Sequence, residues 1–249
     1  MNAIHMLRKP VYPMLNVNGK RLASHLQPAL LLFRSHSHHF SRSTAGSSFL
    51  DLLSLTPPVK QEIVTAFVNL GEFSSVVQHY SRRPYGPVVL DLLGDSRNLV
   101  HHDLLSLPDE HDHVVQIMGY DDQPLEQMEL SREIYLACRL SALLYAAQVT
   151  FPIPRSGFLR EIILSQLCPR LTRLLGQTVS SRLLLWCVVI ATISLGEKSE
   201  QLTPYMNWLC RELGVDTLEK LLGILHSFAW VEEAAQNRCK ELWEKTFPS

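Results

Sequence analysis

The densest set of side chains able to do chemistry lies between positions 101 and 113: His101, His102, Asp103, Asp109, Glu110, His111, Asp112 and His113. Neutral imidazole nitrogens and carboxylate oxygens are the ligands that zinc and similar divalent ions take, and the same groups serve as general acids and bases near neutral pH. To bind a metal, His111 and His113 would have to meet Asp103 or His102 from the end of the preceding helix. Their spacing matches no tight ligand motif. The simpler reading is a packed helix flanked by His102 and Asp103, followed by a solvated turn over 109–113. A second group, His36, His38 and His39, sits in low-complexity sequence with nothing rigid to hold a ring.

Nucleophilic catalysis needs a serine or cysteine beside a base. No Gly-x-Ser-x-Gly elbow occurs, and Cys138, Cys168, Cys187, Cys210 and Cys239 each lie in or beside an apolar helical pattern, where thiols are inert packing groups. Five cysteines, an odd number without close spacing, make neither a disulfide framework nor a zinc cluster. Gly196-Glu197-Lys198-Ser199 matches the end of a phosphate-binding loop but lacks its upstream glycine and the preceding strand. Arg82, Arg83, Arg170, Arg173 and Arg182 are scattered and read as solvated faces or helix-end charges. Trp186, Trp208, Trp230 and Trp243, all four of the chain's tryptophans, read first as core and second as the walls of an apolar ligand cavity. The expected catalytic, cofactor-binding and metal-ligating sets are therefore empty, and the chain is expected not to be an enzyme.

The elements that would position these groups are helices throughout. A chain of 249 residues with 46% hydrophobic and 19% charged residues is long and apolar enough for one sizeable core. Helical periods are predicted over 59–70 behind Thr56-Pro57-Pro58, over 73–80 after a break at Gly71, and over 88–93 and 96–107. An acidic surface loop is expected over 109–124. The longest run, 125–149, carries the stripe Met128, Tyr135, Cys138, Ala142 and Tyr145, and Phe151-Pro152-Ile153-Pro154 stops it. The next helix, 156–175, contains Pro169, which is expected to kink or divide it. Residues 183–195 are apolar on all sides and so belong at the centre of a packing. Thr203-Pro204 opens a helix closed by Gly214, Asp216-x-x-Glu219 reads as a capping box, and 232–247 ends the chain. No segment alternates with period two. The fold class is all-α: a single irregular multi-helix domain over 54–249 behind a basic, poorly ordered N-terminal segment over 1–53.

That first segment differs in composition from the rest. Residues 1–50 hold six Lys or Arg and no Asp or Glu, which leaves 17 basic against 24 acidic residues in the remainder. Arginine, serine and leucine without acid is the composition of a mitochondrial transit peptide, although Pro10 and Pro13 interrupt any amphipathic period. An acidic folded part argues against gripping nucleic acid by counterion release. No apolar stretch reaches the ~20 residues a membrane-spanning helix needs.

Several blocks, taken in order, carry a family likeness: Arg97-Asn98 with His102 and Leu104-Leu105-Ser106-Leu107-Pro108; Cys138-Arg139-Leu140-Ser141-Ala142-Leu143-Leu144-Tyr145 with Phe151-Pro152; Leu183-Leu184-Leu185-Trp186-Cys187; then Trp208, Trp230 and Trp243. From Arg97 onward this order resembles the C-terminal regulatory region of fungal binuclear zinc-cluster transcription factors, without their six-cysteine cluster. The resemblance implies a nuclear transcription-regulatory domain that works through protein partners, a DNA-binding factor or co-regulator, or through a small effector, with no direct nucleic-acid contact. The alternatives are an organellar, mitochondrial helical protein and a small-molecule or metal-binding helical module.

Overall fold

The structure is a computed structural model that describes residues 45–81, 87–119, 125–150, 157–176 and 180–247. Among them are nine α-helices and no strand: α1 (Gln61–Ser81), α2 (Pro87–Ser106), α3 (Val114–Ile117), α4 (Leu125–Tyr145), α5 (Gly157–Leu174), α6 (Ser181–Leu195), α7 (Thr203–Glu212), α8 (Leu218–Ser227) and α9 (Glu232–Thr246). A 3-10 helix (Ser47–Ser54) precedes α1, a π-helical turn (Ala146–Thr150) extends α4, and a second 3-10 helix (Gly196–Gln201) joins α6 to α7.

The all-apolar helix sits where its composition requires. From Leu183 through Thr192 every residue of α6 is buried, and α6 touches α4, α5, α7, α8 and α9. Full burial of each leucine or valine stabilises by about 1.5–3 kcal/mol, so a helix without a polar face has no better position than the middle. Its two polar side chains in the last turns satisfy themselves locally: Thr192 Oγ1 donates to the Val188 carbonyl and Ser194 Oγ to that of Ile190, each at 2.6 Å. Ser180 caps the helix, accepting from the Leu183 N–H, and donates to Asp51 of the first 3-10 helix at 3.2 Å.

That 3-10 helix belongs to the core. Phe49 is fully buried, edge-on to Trp186 at 5.2 Å and to Phe228 at 5.1 Å between ring centroids. Gly46 N–H donates to the Phe228 carbonyl at 2.7 Å, and Ser48 Oγ donates to Ser227 Oγ at 2.8 Å. The packed unit thus includes Ala45–Leu53, ahead of Ser54; residues 1–44, with His36, His38 and His39, lie outside the described residues.

Local expectations change at five places. Gly71 does not break α1, which runs through it: a Cβ there would overlap the Phe228 carbonyl oxygen and the Gly46 backbone, so the glycine answers a backbone crossing rather than a helix end. The pair expected over 88–107 is one helix, α2. Thr56–Pro58 lead into an extended bridge between Val59 and Met118, with Lys60 N–H donating to the Ile117 carbonyl at 2.9 Å, and α1 starts only at Gln61. Thr217, not Asp216, caps α8, accepting from the Lys220 N–H at 3.3 Å, while Asp216 pairs with Lys220 at 2.7 Å. Pro169 lies inside α5 without dividing it.

Candidate functional site

The histidines and acids of 101–113 do not converge. His101 and His102 are on the last turns of α2, and 109–113 is the turn between α2 and α3. Among the described residues no group of three or more His, Cys, Asp or Glu is arranged to hold a metal ion. Within the turn, the carboxylates bind backbone. Asp109 Oδ1 accepts the His111 N–H at 2.9 Å, and Asp112 Oδ2 accepts the Asp109 N–H at 2.6 Å. Such Asx contacts fold a turn from its own side chains.

The same turn is clamped from α4 and α5. Arg132 Nη2 donates to the Glu110 carbonyl at 2.6 Å, Tyr135 Oη to the Pro108 carbonyl at 2.6 Å, and Gln166 Nε2 to Glu110 Oε1 at 3.2 Å. Arg170, with 13% of its side chain exposed, donates to Glu133 and lies 3.5 Å from Glu110 Oε2. Arg173 Nη1 approaches Glu133 Oε2 at 3.4 Å, near enough for charge pairing but not aligned as a hydrogen bond. The sequence reads Arg170 as part of a solvated face or as a helix-end charge; the structure makes it the centre of an inter-helix ion network. No local spacing reveals this, because Glu133 and Arg170 are 37 residues apart.

The exposed histidines keep loose pairings: His102 Nδ1 is 3.6 Å from Asp103 and His111 Nε2 is 3.7 Å from Glu110. The Asp103 carboxylate, as hydrogen-bond acceptor, holds His102 above the usual imidazole range. His101 behaves oppositely, pulled down to about 4 first by burial and then by Arg97, and its Nε2 is 3.5 Å from Thr150 Oγ1.

The cysteines are packing groups. Burial pushes the thiols of Cys187, Cys210 and Cys239 up to about 12, and Cys138 well above its ordinary value, where nearby Cys187 adds to the effect. Half-buried Cys168 shifts the same way. Thiols so shifted stay protonated at neutral pH and make poor nucleophiles. The segment from Gly196 to Gln201 is a 3-10 turn whose Ser199 carbonyl accepts from Thr203 Oγ1 at 3.1 Å. Arg182 Nη2 is 3.2 Å from Ser227 Oγ, and Arg82 and Arg83 lie outside the described residues.

The four tryptophans divide. Trp186 is buried, stacks on Phe228 at 5.8 Å and donates Nε1–H to the Ala229 carbonyl at 3.0 Å. Trp243, half-buried, packs on Phe247 at 4.4 Å, and Trp208 is 45% exposed. Trp230, in the connection between α8 and α9, is 2% exposed and its Nε1–H has no acceptor. It lines a cavity of about 90 Å³ with Gln148 and Val149 of the π turn, Ile190 and Ile193 of α6, and Arg238 of α9. The π turn has no sequence signal; it carries Gln148 and Val149 to the cavity wall at the end of α4. A shallower groove of about 360 Å³ runs between α1 and α2, rimmed by Glu62, Asn69, Asp103 and Gln116.

Among the described residues no helix is long and apolar enough to cross a membrane. No protein-family model matches the chain, and no curated protein or solved structure matches it either.

Proposed function

We propose that the chain is a regulatory domain of transcription that acts in the nucleus through protein partners, a DNA-binding factor or co-regulator, with a small effector as a second input, and without catalysis of its own. The reading is supported by the way the likeness to zinc-cluster regulatory regions maps onto the fold. Its three main blocks, 97–108, 138–145 and 183–191, lie on α2, α4 and α6, and α4 touches both of the others. What the blocks share is therefore a common helical centre, and the polar groups nearest to them are engaged in holding the turn after α2. Phe158, 73% exposed at the start of α5, and Trp208 on α7 offer large apolar side chains for protein contact.

The test is imaging of the full chain with a C-terminal fluorescent tag in a filamentous fungal cell, beside a variant lacking residues 1–44. The deletion stops there because Gly46 and Ser48 bond to Phe228 and Ser227. Nuclear signal that survives deletion is the expected result. Mitochondrial signal lost on deletion would sink the regulatory reading in favour of the organellar one, which the acid-free first 50 residues motivate.

A further inference from the structure

The groove of about 360 Å³ between α1 and α2 has an apolar floor and an acidic rim. Ile63, Ala66, Leu107 and Pro108 supply the floor, and Glu62 of α1 and Asp103 of α2 supply the acids. Glu62 is exposed and has no ion pair among the described residues, while Asp103 meets the exposed His102 ring at 3.6 Å. The surrounding surface has the same sign: α1 and α2 together carry Glu62, Glu72, Asp91, Asp95 and Asp103 against one arginine, Arg97. Such a groove is complementary to a chain segment that sets apolar side chains beside a base.

We propose that residues 29–34 of the same chain dock in this groove, with apolar side chains of 29–33 on its floor and the Arg34 guanidinium at its acidic rim. Residues 1–44 hold Arg8, Lys9, Lys20, Arg21, Arg34 and Arg42 and no acid, a charge opposite to that of α1 and α2. Ala29-Leu30-Leu31-Leu32-Phe33 is the longest apolar run among them, and a base follows it directly. Residues 35–44 separate Arg34 from Ala45, and a chain spans at most about 3.3–3.6 Å per residue, so roughly 30 Å is within reach. The distance to be covered is smaller. Gly46 lies against the Val68 backbone, and Thr65 and Asn69 of the groove are on the same helix, whose full diameter is about 10–12 Å. A tether this short holds segment and groove at an effective concentration on the order of millimolar, which favours the chain's own segment over that of a second copy. Docking is independent of the regulatory reading, so the cross-linking below and the imaging experiment fail separately.

The test is photo-cross-linking of the full chain carrying p-benzoylphenylalanine in place of Phe33, with the joined peptides identified by mass spectrometry. Cross-links within one chain, to the groove residues of α1 or α2, are the expected result. Reversing the rim by Glu62→Lys with Asp103→Lys is expected to lower their yield about fivefold or more, because two attractions at the surface become repulsions. Adding Arg34→Glu to that variant is expected to restore the yield, which separates a charge effect from a loss of folding. Absence of cross-links to the groove, cross-links that join two chains, a yield unchanged by reversal of the rim, or no restoration by Arg34→Glu overturns the proposal.

Discussion

Two regions of the core hold the helices together by different means. Around Trp186, aromatic rings from the first 3-10 helix, α1 and the end of α8 meet: Phe49, Phe67 and Phe228, with Phe49 to Phe67 at 5.5 Å. Around Glu133, charges from α4, α5 and the turn after α2 meet: Glu110, Arg170 and Arg173. The aromatic region depends on area removed from water, which is non-directional and forgiving of small shifts. The charged region depends on complete pairing, because a buried charge that loses its partner keeps the full cost of leaving water. The acids Asp109, Glu110 and Asp112, dense in the sequence, therefore fold a turn in this chain and anchor it to two helices.

The contrast can be broken by substitution. Trp186→Ala removes one of the two largest buried rings and strands the Ala229 carbonyl, and is expected to cost about 4–5 kcal/mol in urea unfolding, whereas Trp186→Phe is expected to lose less than half of that. Glu133→Ala leaves Arg170 facing a mostly buried position and is expected to cost about 2–4 kcal/mol; replacing Glu133 by Leu and Arg170 by Met together is expected to recover most of it. No such recovery is expected from pairing Trp186→Ala with a second truncation at Phe49, because two losses of area accumulate.

A smaller effect sharpens the comparison through pH. His101 is held at about 4 in the folded chain against 6.5 when unfolded, so between those values the unfolded chain binds more protons. Its contribution is present in full above pH 6.5 and is lost as pH falls toward 4, a change of about 2–3 kcal/mol. His101→Gln is expected to flatten that slope in unfolding curves taken between pH 4 and 6.5, and an unchanged slope would assign the acid sensitivity to another group.

Most of the helical architecture was legible because periodicity reports burial directly. The all-apolar run at 183–195 had to be central, and Thr203-Pro204 with Gly214 at φ 63° bounds α7 as their conformations dictate. Gly71 was misleading because the residues that forbid its Cβ, Gly46 and Phe228, are 25 and 157 positions away and no local rule includes them. Ser48 and Phe49 follow directly on a low-complexity composition, yet Phe49 and Leu52, both fully buried, seat the 3-10 helix in the core. Of the site, the residue types in 101–113 were visible, but their partners Arg132, Gln166 and Arg170 arrive from α4 and α5 by tertiary packing. Trp230 reads from the sequence as a cavity candidate; the π turn that brings Gln148 and Val149 to the same cavity carries no signal there.

The claim that the charged cluster is architecture is tested most directly by a double-mutant cycle on Glu133 and Arg170, each changed to Ala and measured by urea unfolding. The account predicts that the double variant is more stable than the sum of the single losses allows, by about 1–3 kcal/mol, because each partner without the other keeps only its more distant second contact, Arg170 with Glu110 and Glu133 with Arg173. Single losses that simply add, or that are near zero, would contradict it and return these residues to the list of candidates for chemistry.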